Sequence, residues 1–251
     1  MITTYHRPKT LDEALTLLAQ PNILPLGGGT ILAARRPTAD PIEVVDLQSL
    51  GLDSINKKGN ELQLGATVTL QQLLESEDYP EALKSATKLE APLNLRNSAT
   101  VAGTLVSCDG RSTFATTMLA LDAELDIQNS LNDSRLSNLG DFLPLRPRGL
   151  ITSITIPLNV KLAFEYVSRT PADKPIVCVA LAQWNSGRTR LVVGGYGKNP
   201  MVGMDGTEAE GLETAARNAF HEATDEWASA EYRMYVAATL AIRCLEKVSN
   251  Q

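Results

Sequence analysis

The sequence predicts an α+β protein in two parts, and two patterns lead to this conclusion. In the first part, short apolar runs typical of strands alternate with segments whose apolar residues recur at helical spacing. After Pro157 the pattern changes to successive strands followed by helices. These later elements are three strands over 161–169, 175–184 and 188–195, a flexible stretch rich in glycine and methionine over 197–206, and helices over roughly 207–220 and 227–247. We therefore divide the chain into residues 1–156 and 157–251.

Capping and turn signals mark the elements of the first part. Thr10 to Glu13 has the form of a capping box, which predicts that a helix begins there and ends before Pro21. A strand over 23–26 and a helical turn over 31–34 flank a glycine-rich segment. The remaining predicted elements are a buried strand over 43–47, a hairpin turning at 57–60, helices near 69–76, 80–89 and 112–121, and a strand over 124–127.

Composition and charge exclude several classes of protein. With 251 residues, of which 43% are hydrophobic, the chain is long enough to bury a large core. No segment approaches the roughly 20 consecutive apolar residues of a membrane span, and the N-terminus lacks the apolar stretch of a secretory signal. A net charge of −6 with scattered lysines and arginines argues against a nucleic-acid partner. We expect a cytoplasmic protein without a membrane span.

The spacing of cysteines and histidines argues against a metal site in this chain. Cys108, Cys178 and Cys244 lie far apart in sequence and form no Cys-x-x-Cys pair, so they cannot supply the four thiolates of a typical iron–sulfur or structural zinc site. His221 lacks the second histidine of the His-Glu-x-x-His motif. We therefore expect reduced, buried cysteines and no bound metal.

Two glycine-bearing segments give the strongest indication of function. They are Leu26-Gly-Gly-Gly-Thr30 and Thr100-Val-Ala-Gly-Thr104. Glycine tolerates positive φ and has no Cβ, so consecutive backbone N–H groups can converge on an anion. Two such segments can hold a diphosphate from both sides without a lysine, which favours a dinucleotide cofactor. Tight turns that bind nothing are the alternative interpretation.

The common nucleotide and hydrolase motifs are missing from the sequence. Counted from Gly27, the third glycine of the Rossmann fingerprint is replaced by Leu32. The sequence contains neither a Gly-x-x-x-x-Gly-Lys-Ser/Thr loop nor a Gly-x-Ser-x-Gly elbow. The spacing of the glycines therefore predicts two candidate phosphate-binding loops and does not identify the nucleotide.

A series of short motifs, in a consistent order along the chain, carries a family resemblance. The motifs lie at Tyr5–Ala14, Leu26–Thr30, Val44–Leu47, Leu64–Leu70, Arg96–Gly103, Leu119–Ala123 and Ser229–Arg233. Together they resemble the FAD-binding subunits of the molybdenum hydroxylases. That family includes the medium subunit of carbon monoxide dehydrogenase and the FAD-binding subunit of bacterial xanthine dehydrogenase.

The resemblance implies a fold, a cofactor and partners. The implied fold has two α+β subdomains that cradle FAD, of the vanillyl-alcohol-oxidase or PCMH type, followed by a C-terminal three-stranded antiparallel sheet with helices. The implied protein is an FAD-dependent oxidoreductase subunit of a molybdenum-containing dehydrogenase. A molybdopterin-binding large subunit and an iron–sulfur small subunit would carry the molybdenum cofactor and the clusters. Electrons would pass from those clusters through FAD to an acceptor.

The resemblance also assigns residues to cofactor binding. They are Leu26, Gly27, Gly28, Gly29, Thr30, Ile31, Thr100, Ala102, Gly103, Thr104 and Asp109. For Asp109 two interpretations stay open: a hydrogen bond to a ribose or ribityl hydroxyl, or a cap on the helix that begins near Ser112. No residue is assigned as a catalytic acid or base, because the flavin itself carries the redox chemistry.

Three positions depart from the family pattern. Thr104 replaces the common asparagine, Thr113 replaces a second acid, and Lys174 replaces an aromatic residue able to cover the flavin ring. These departures keep two alternatives open, a flavin-free assembly subunit and a stand-alone flavin oxidoreductase. The second alternative would need its own acid and base residues toward a substrate, and the sequence suggests no such set.

Overall fold

A computed structural model describes residues 2–32, 40–77 and 79–251 of the chain. The helices are α1 (Leu11–Leu18), α2 (Leu70–Glu75), α3 (Glu81–Glu90), α4 (Leu93–Arg96), α5 (Val101–Ser107), α6 (Thr113–Ala120), α7 (Leu139–Leu145), α8 (Leu212–Asn218) and α9 (Ala230–Ser249), with a 3-10 helix over Gln48–Leu50. The strands are β1 (Ile2–His6), β2 (Ile23–Leu26), β3 (Ile42–Asp46), β4 (Ile55–Lys58), β5 (Glu61–Gly65), β6 (Glu124–Ser130), β7 (Asp133–Asn138), β8 (Leu150–Pro157), β9 (Val160–Val167), β10 (Val177–Trp184), β11 (Thr189–Gly194) and β12 (Met201–Gly206). Within the described ranges, no helix combines the length and apolar character needed to cross a membrane.

The chain forms two compact units, each assembled from several segments. The first unit comprises Met1–Glu77, Pro92–Ser107 and Glu124–Thr155, and the second comprises Asp78–Ala91, Cys108–Ala123 and Ile156–Gln251. The second unit thus takes two segments from the part of the chain before residue 156. Neither unit is one continuous stretch of sequence.

The first unit contains a three-stranded and a five-stranded sheet. In the three-stranded sheet, β3 lies between β1 and β2, and all three strands are parallel. Leu26 at the end of β2 is in register with Asp46 at the end of β3. Because the strands are parallel, the segments that follow them, the glycine segment and Gln48, leave the sheet at the same end. The five-stranded sheet has the order β4-β5-β8-β6-β7.

Helix α1 forms where its sequence predicts and packs its apolar face on the three-stranded sheet. Ala14 and Leu15 are buried in a cluster with residues of β2 and β3. The Thr10 hydroxyl accepts a hydrogen bond from the Glu13 N–H at 3.3 Å, as in a capping box. The Glu13 carboxylate, however, accepts from the Lys9 N–H at 3.0 Å rather than from Thr10. The first bond of a capping box is therefore present, whereas the second is made to the N–H of Lys9, one residue before Thr10.

The second unit is built around an antiparallel sheet in the order β12-β11-β10-β9. Val179 and Leu181 of β10 belong to a buried cluster with residues of α8 and α9. Cys178, on the opposite face of the same strand, lies 3.6 Å from the Thr116 hydroxyl of α6. Because helices cover both faces, β10 is a continuous apolar run rather than an alternating one. All three cysteines are buried and none of the described residues forms a disulfide, as predicted.

The C-terminal sheet has four strands in the described part of the chain, so the prediction of three is wrong. The stretch expected to be flexible, 197–206, contains the edge strand β12. Glycine and methionine give this stretch a weak intrinsic preference for strand. Pairing with β11 decides its conformation, and the carboxylate of Asp205 reinforces that pairing through ion pairs with Arg188 and Arg190 at 2.7 and 3.0 Å. Contacts between strands that are distant in sequence cannot be recognised from the local sequence pattern.

Most other predicted elements form close to their predicted positions. The elements missed by the sequence analysis are β1, α4, α5, β7, α7 and β8. Strand β7 is almost entirely exposed and lies at a sheet edge, so its sequence carries no apolar alternation. The helical turn expected over 31–34 falls partly outside the described residues, which end at Leu32 and resume at Asp40.

A fully buried arginine, Arg233 on α9, ties together the loops of the second unit. Its side chain is 0% exposed. The guanidinium donates to the carbonyls of Ile176, Ala223 and Ala228, and it pairs with the Asp225 carboxylate at 2.7 Å. These bonds satisfy the buried charge, which would otherwise be costly.

We predict that Arg233→Ala lowers the free energy of unfolding by about 3–5 kcal/mol, because it removes the counter-charge of Asp225 and the donors to three carbonyls in the buried centre of the unit. Arg243→Ala, at an exposed position of the same helix, is the matched control and should change stability by less than about 0.5 kcal/mol. Urea unfolding followed by circular dichroism measures both. Equal effects of the two substitutions would contradict a structural role for Arg233.

Candidate functional site

The first glycine segment lies directly against the segment that precedes α5. A Cβ built on Gly28 would lie 1.5 Å from the carbonyl oxygen of Ser98, and one built on Gly27 would lie 2.8 Å from the Thr100 hydroxyl. Gly29 has a φ of 71°, which side chains rarely permit. Only glycine therefore allows the two segments to approach this closely, and both belong to the first unit.

A cleft of about 130 Å³ lies where the two segments meet. It is lined by Gly27, Gly28, Gln48, Thr67, Thr69, Asn97, Ser98 and Thr100. Three of these residues, Gly27, Gly28 and Thr100, were predicted from the sequence to bind a cofactor. The other five are uncharged polar residues that the sequence analysis did not select.

Polar groups around this cleft have no partner among the described residues. The backbone N–H groups of Gly27 to Thr30 make no hydrogen bond there. The same holds for the side-chain polar atoms of Gln48, Thr67, Asn97 and Ser98. Gln48, Asn97 and Ser98 are exposed, so water can satisfy their side chains, and only Thr67 among the four is buried. The unpaired backbone N–H groups of the glycine segment are therefore the feature that makes this cleft a candidate site for a polar ligand.

The wall opposite the glycines is held rigidly by its own hydrogen bonds. Thr69 begins α2 with a complete capping box: its hydroxyl accepts from the Gln72 N–H at 3.1 Å, and the Gln72 side chain accepts from the Thr69 N–H at 2.8 Å. The Leu70 N–H donates to the Ala99 carbonyl at 2.9 Å. Arg96 donates from Nε to Gln71 at 3.1 Å. These bonds fix the positions of Thr69, Asn97 and Ser98 along the cleft.

The second predicted loop is the first turn of helix α5, which is a correction to the sequence analysis. The Thr100 hydroxyl accepts from the Gly103 N–H at 3.1 Å, in the manner of a helix cap. The Thr104 N–H and hydroxyl both donate to the Thr100 carbonyl, at 2.9 and 2.8 Å. The Ala102 N–H points to the Ala66 carbonyl at 3.4 Å. The backbone donors of this segment are thus already engaged, and Thr100 is the residue through which it lines the cleft.

The remaining predicted residues lie in other surroundings. Leu26 ends β2, and its carbonyl accepts from the Leu47 N–H at 3.1 Å. Ile31 is 60% exposed beyond the glycines. Gly29 and Thr30 contribute unpaired N–H groups without lining the cleft itself. Their binding role stays a prediction.

Asp109 belongs to the second unit and already has partners there. Its carboxylate accepts from the Arg111 N–H at 3.0 Å and pairs with Lys174 at 3.0 Å. Helix α6 is capped by Ser112, whose hydroxyl accepts from the Ala115 N–H at 3.1 Å. The interpretation of Asp109 as a helix cap is therefore wrong, and its role toward a ribose or ribityl hydroxyl stays a prediction.

The departures from the family pattern at Thr113 and Lys174 have structural explanations. Thr113 is 1% exposed, and its hydroxyl donates to the Ala86 carbonyl at 2.6 Å. It joins α6 to α3 and has no exposed hydroxyl to offer a ligand. Lys174 lies in an exposed loop and forms the ion pair with Asp109.

The five lining residues that the sequence analysis did not select were only weakly indicated by the sequence. Thr67 and Thr69 follow β5 at alternate positions, and Asn97 and Ser98 occur in a motif quoted only as a resemblance. Gln48 gives no local signal, because only the parallel pairing of β2 and β3 brings it to the glycines. The glycines therefore predicted where the cleft lies, but the sequence did not reveal all the residues that line it.

The chemistry of the cleft suits a ligand group rich in oxygen acceptors. Among the described residues that line it, none carries a charge, and most offer hydroxyl, amide or backbone donors. Pockets that enclose a whole cofactor measure roughly 300–1,000 Å³. This cleft matches only a fragment, of the size of a diphosphate.

Comparisons with known proteins show the family to which this chain belongs. Residues 1–159 match the family model of the FAD binding domain in molybdopterin dehydrogenase. The chain is 28% identical over 247 residues to the uncharacterised protein YgfM of Escherichia coli, covering 96% of this chain and 94% of YgfM. It is 27% identical over 200 residues to the carbon monoxide dehydrogenase medium chain of Afipia carboxidovorans, covering 73% and 69%.

The fold is also shared with solved structures. A chain of the carbon monoxide dehydrogenase from Hydrogenophaga pseudoflava superposes with a TM-score of 0.84 at 20% identity, covering 100% of this chain and 98% of that one. At this identity the match shows a common fold. The family resemblance predicted from short motifs is confirmed by the family model, which covers more than half of the sequence. The chain therefore belongs to the family of FAD-binding domains in molybdopterin dehydrogenases, an oxidoreductase family.

Proposed function

We propose that this chain is the FAD-binding, electron-transferring subunit of a molybdenum hydroxylase, and that its cleft holds the diphosphate of FAD. The observation that carries the proposal is the coincidence of two sets of unpaired donors. Four consecutive backbone N–H groups at residues 27–30 lie beside a cleft at which four side chains, those of Gln48, Thr67, Asn97 and Ser98, also make no hydrogen bond to a described residue.

The residues of the cleft could donate several hydrogen bonds to a diphosphate. The amides of Gly27 and Gly28 would donate to diphosphate oxygens, and the hydroxyls of Thr67 and Ser98 would complete the set. Hydrogen bonds to a charged acceptor are roughly twice as strong as neutral ones. The absence of a Cβ at Gly28 keeps the approach open. Bound FAD would supply the redox chemistry, and the protein would bind and orient it.

We further propose the partners that the family resemblance implies. A molybdopterin-binding large subunit would oxidise the substrate, and an iron–sulfur small subunit would deliver electrons to this chain. The relative in Afipia carboxidovorans is named as a medium chain, which supports a place in a multi-subunit enzyme. A cytoplasmic location and the lack of a nucleic-acid partner stay predictions from the sequence.

The test of this proposal is titration of the purified chain with FAD, followed by its visible absorbance and fluorescence. We expect uptake of one FAD per chain, and release of the unmodified cofactor on denaturation, because the contacts that the cleft offers are hydrogen bonds and not covalent links. A chain that takes up no FAD would contradict the proposal and would favour a flavin-free assembly subunit.

We predict that Thr67→Val raises the Kd for FAD about fivefold, since one hydrogen bond of about 1 kcal/mol is lost. The melting temperature of the free chain should not fall, because the hydroxyl of Thr67 bonds to no described residue. Thr87→Val is the matched control: its buried hydroxyl donates to the Leu83 carbonyl at 2.7 Å. That variant should lose stability and keep its affinity for FAD.

The opposite pattern would count against the cleft as the FAD site. Thr67→Val would then lower the melting temperature and leave the Kd for FAD unchanged. Isothermal titration and thermal unfolding of the two variants distinguish these outcomes.

A further inference from the structure

A buried carboxylate, Asp46, lies at the end of the central strand β3 in the first unit. The side chain of Asp46 is only 1% exposed. A carboxylate shielded in this way must receive hydrogen bonds or a counter-charge, or its burial is strongly unfavourable. Asp46 is not among the residues that line the cleft, so FAD binding as proposed above does not account for it.

Three donors from two segments converge on this carboxylate. The Tyr5 hydroxyl donates at 2.5 Å, and the Gln48 N–H donates at 3.0 Å. The Arg7 Nε lies at 3.3 Å. The bond to Asp46 raises the pKa of the Tyr5 hydroxyl, so Tyr5 stays protonated and remains a donor. Strand β1 and the residue that follows it, Arg7, thus supply two of the three groups that satisfy Asp46.

The third donor connects the carboxylate to the cleft. Gln48 lines the cleft together with Gly27 and Gly28. Leu26 is in register with Asp46, and the Leu47 N–H donates to the Leu26 carbonyl at 3.1 Å. The carboxylate therefore sits at the point where β2 leads into the glycines and β3 leads into Gln48. Its bond to the Gln48 N–H holds the backbone of residues 46–48 in the conformation in which Gln48 lines the cleft.

We propose that Asp46, held by Tyr5, is a positioning residue for the FAD diphosphate and acts through Gln48. This inference rests on the proposed function of the cleft. Asp46 does not touch the cofactor in this arrangement. It sets the backbone of residues 46–48, and Gln48 then presents its amide to the ligand.

The test is a double-mutant cycle in the Kd for FAD, measured by titration of the full chain. Tyr5→Phe and Gln48→Ala should each raise the Kd about fivefold, the equivalent of one hydrogen bond. The double variant should be no weaker than Gln48→Ala alone, because residues that act through one another are not additive. Asp46→Asn should raise the Kd by more than Tyr5→Phe does, since it removes the charge that all three donors face.

A matched control separates positioning from simple support of the fold. Glu43→Gln weakens the contact of Glu43 with His6, 2.7 Å long, which joins the same two strands and does not reach Gln48. This variant should lower the melting temperature as much as Tyr5→Phe and keep its Kd within about twofold of the unmodified chain.

Two results would overturn the assignment of Asp46. One is an additive cycle for Tyr5 and Gln48, and the other is a Kd for Glu43→Gln raised as much as that of Tyr5→Phe. If the unmodified chain itself fails to bind FAD, the proposed function is overturned and the assignment falls with it. The unmodified chain thus distinguishes failure of the proposed function from failure of the positioning role.

Discussion

The contact between Gly28 and the carbonyl of Ser98 is the constraint on which the candidate site depends. With 1.5 Å between a built Cβ and that oxygen, no other residue fits without moving the backbone. The close approach brings two segments of the first unit together and forms the cleft between them. The amides of residues 27–30, beside this contact, make no hydrogen bond among the described residues and are available to a ligand.

The surrounding fold supplies the rigidity that this contact needs. Parallel pairing of β2 with β3 delivers the glycines and Gln48 to the same end of one sheet. On the other side, the capping box at Thr69 and the cap from Thr100 to Gly103 hold the opposing wall. A site held in place before the ligand arrives loses less conformational freedom on binding. The polar side chains of the cleft can then contribute most of their hydrogen-bond energy to affinity.

Much of this arrangement could be predicted from the sequence, and the failures have physical reasons. Thr10 and the apolar spacing after it marked α1, and the glycine triplet marked the cleft, because these signals are local. The helical start at Thr100 was missed although a hydroxyl three residues before a glycine amide is a capping pattern. Gln48 and strand β12 depend on pairing between distant segments, which no local pattern records. Thr113 stood out in the sequence only as a replacement for an acidic residue, and its packing against α3, which explains its hydroxyl, could not be predicted from that departure.

Amide hydrogen exchange at residues 27–30, with and without FAD, tests the central claim most directly. Exchange of these amides should be fast in the free chain and should slow by about tenfold or more when FAD binds, because exchange reports on hydrogen bonding and opening. The Gly103 amide is already bonded to Thr100 and should change little. Binding of FAD that leaves exchange at residues 27–30 unchanged would contradict the claim that these backbone groups hold its diphosphate.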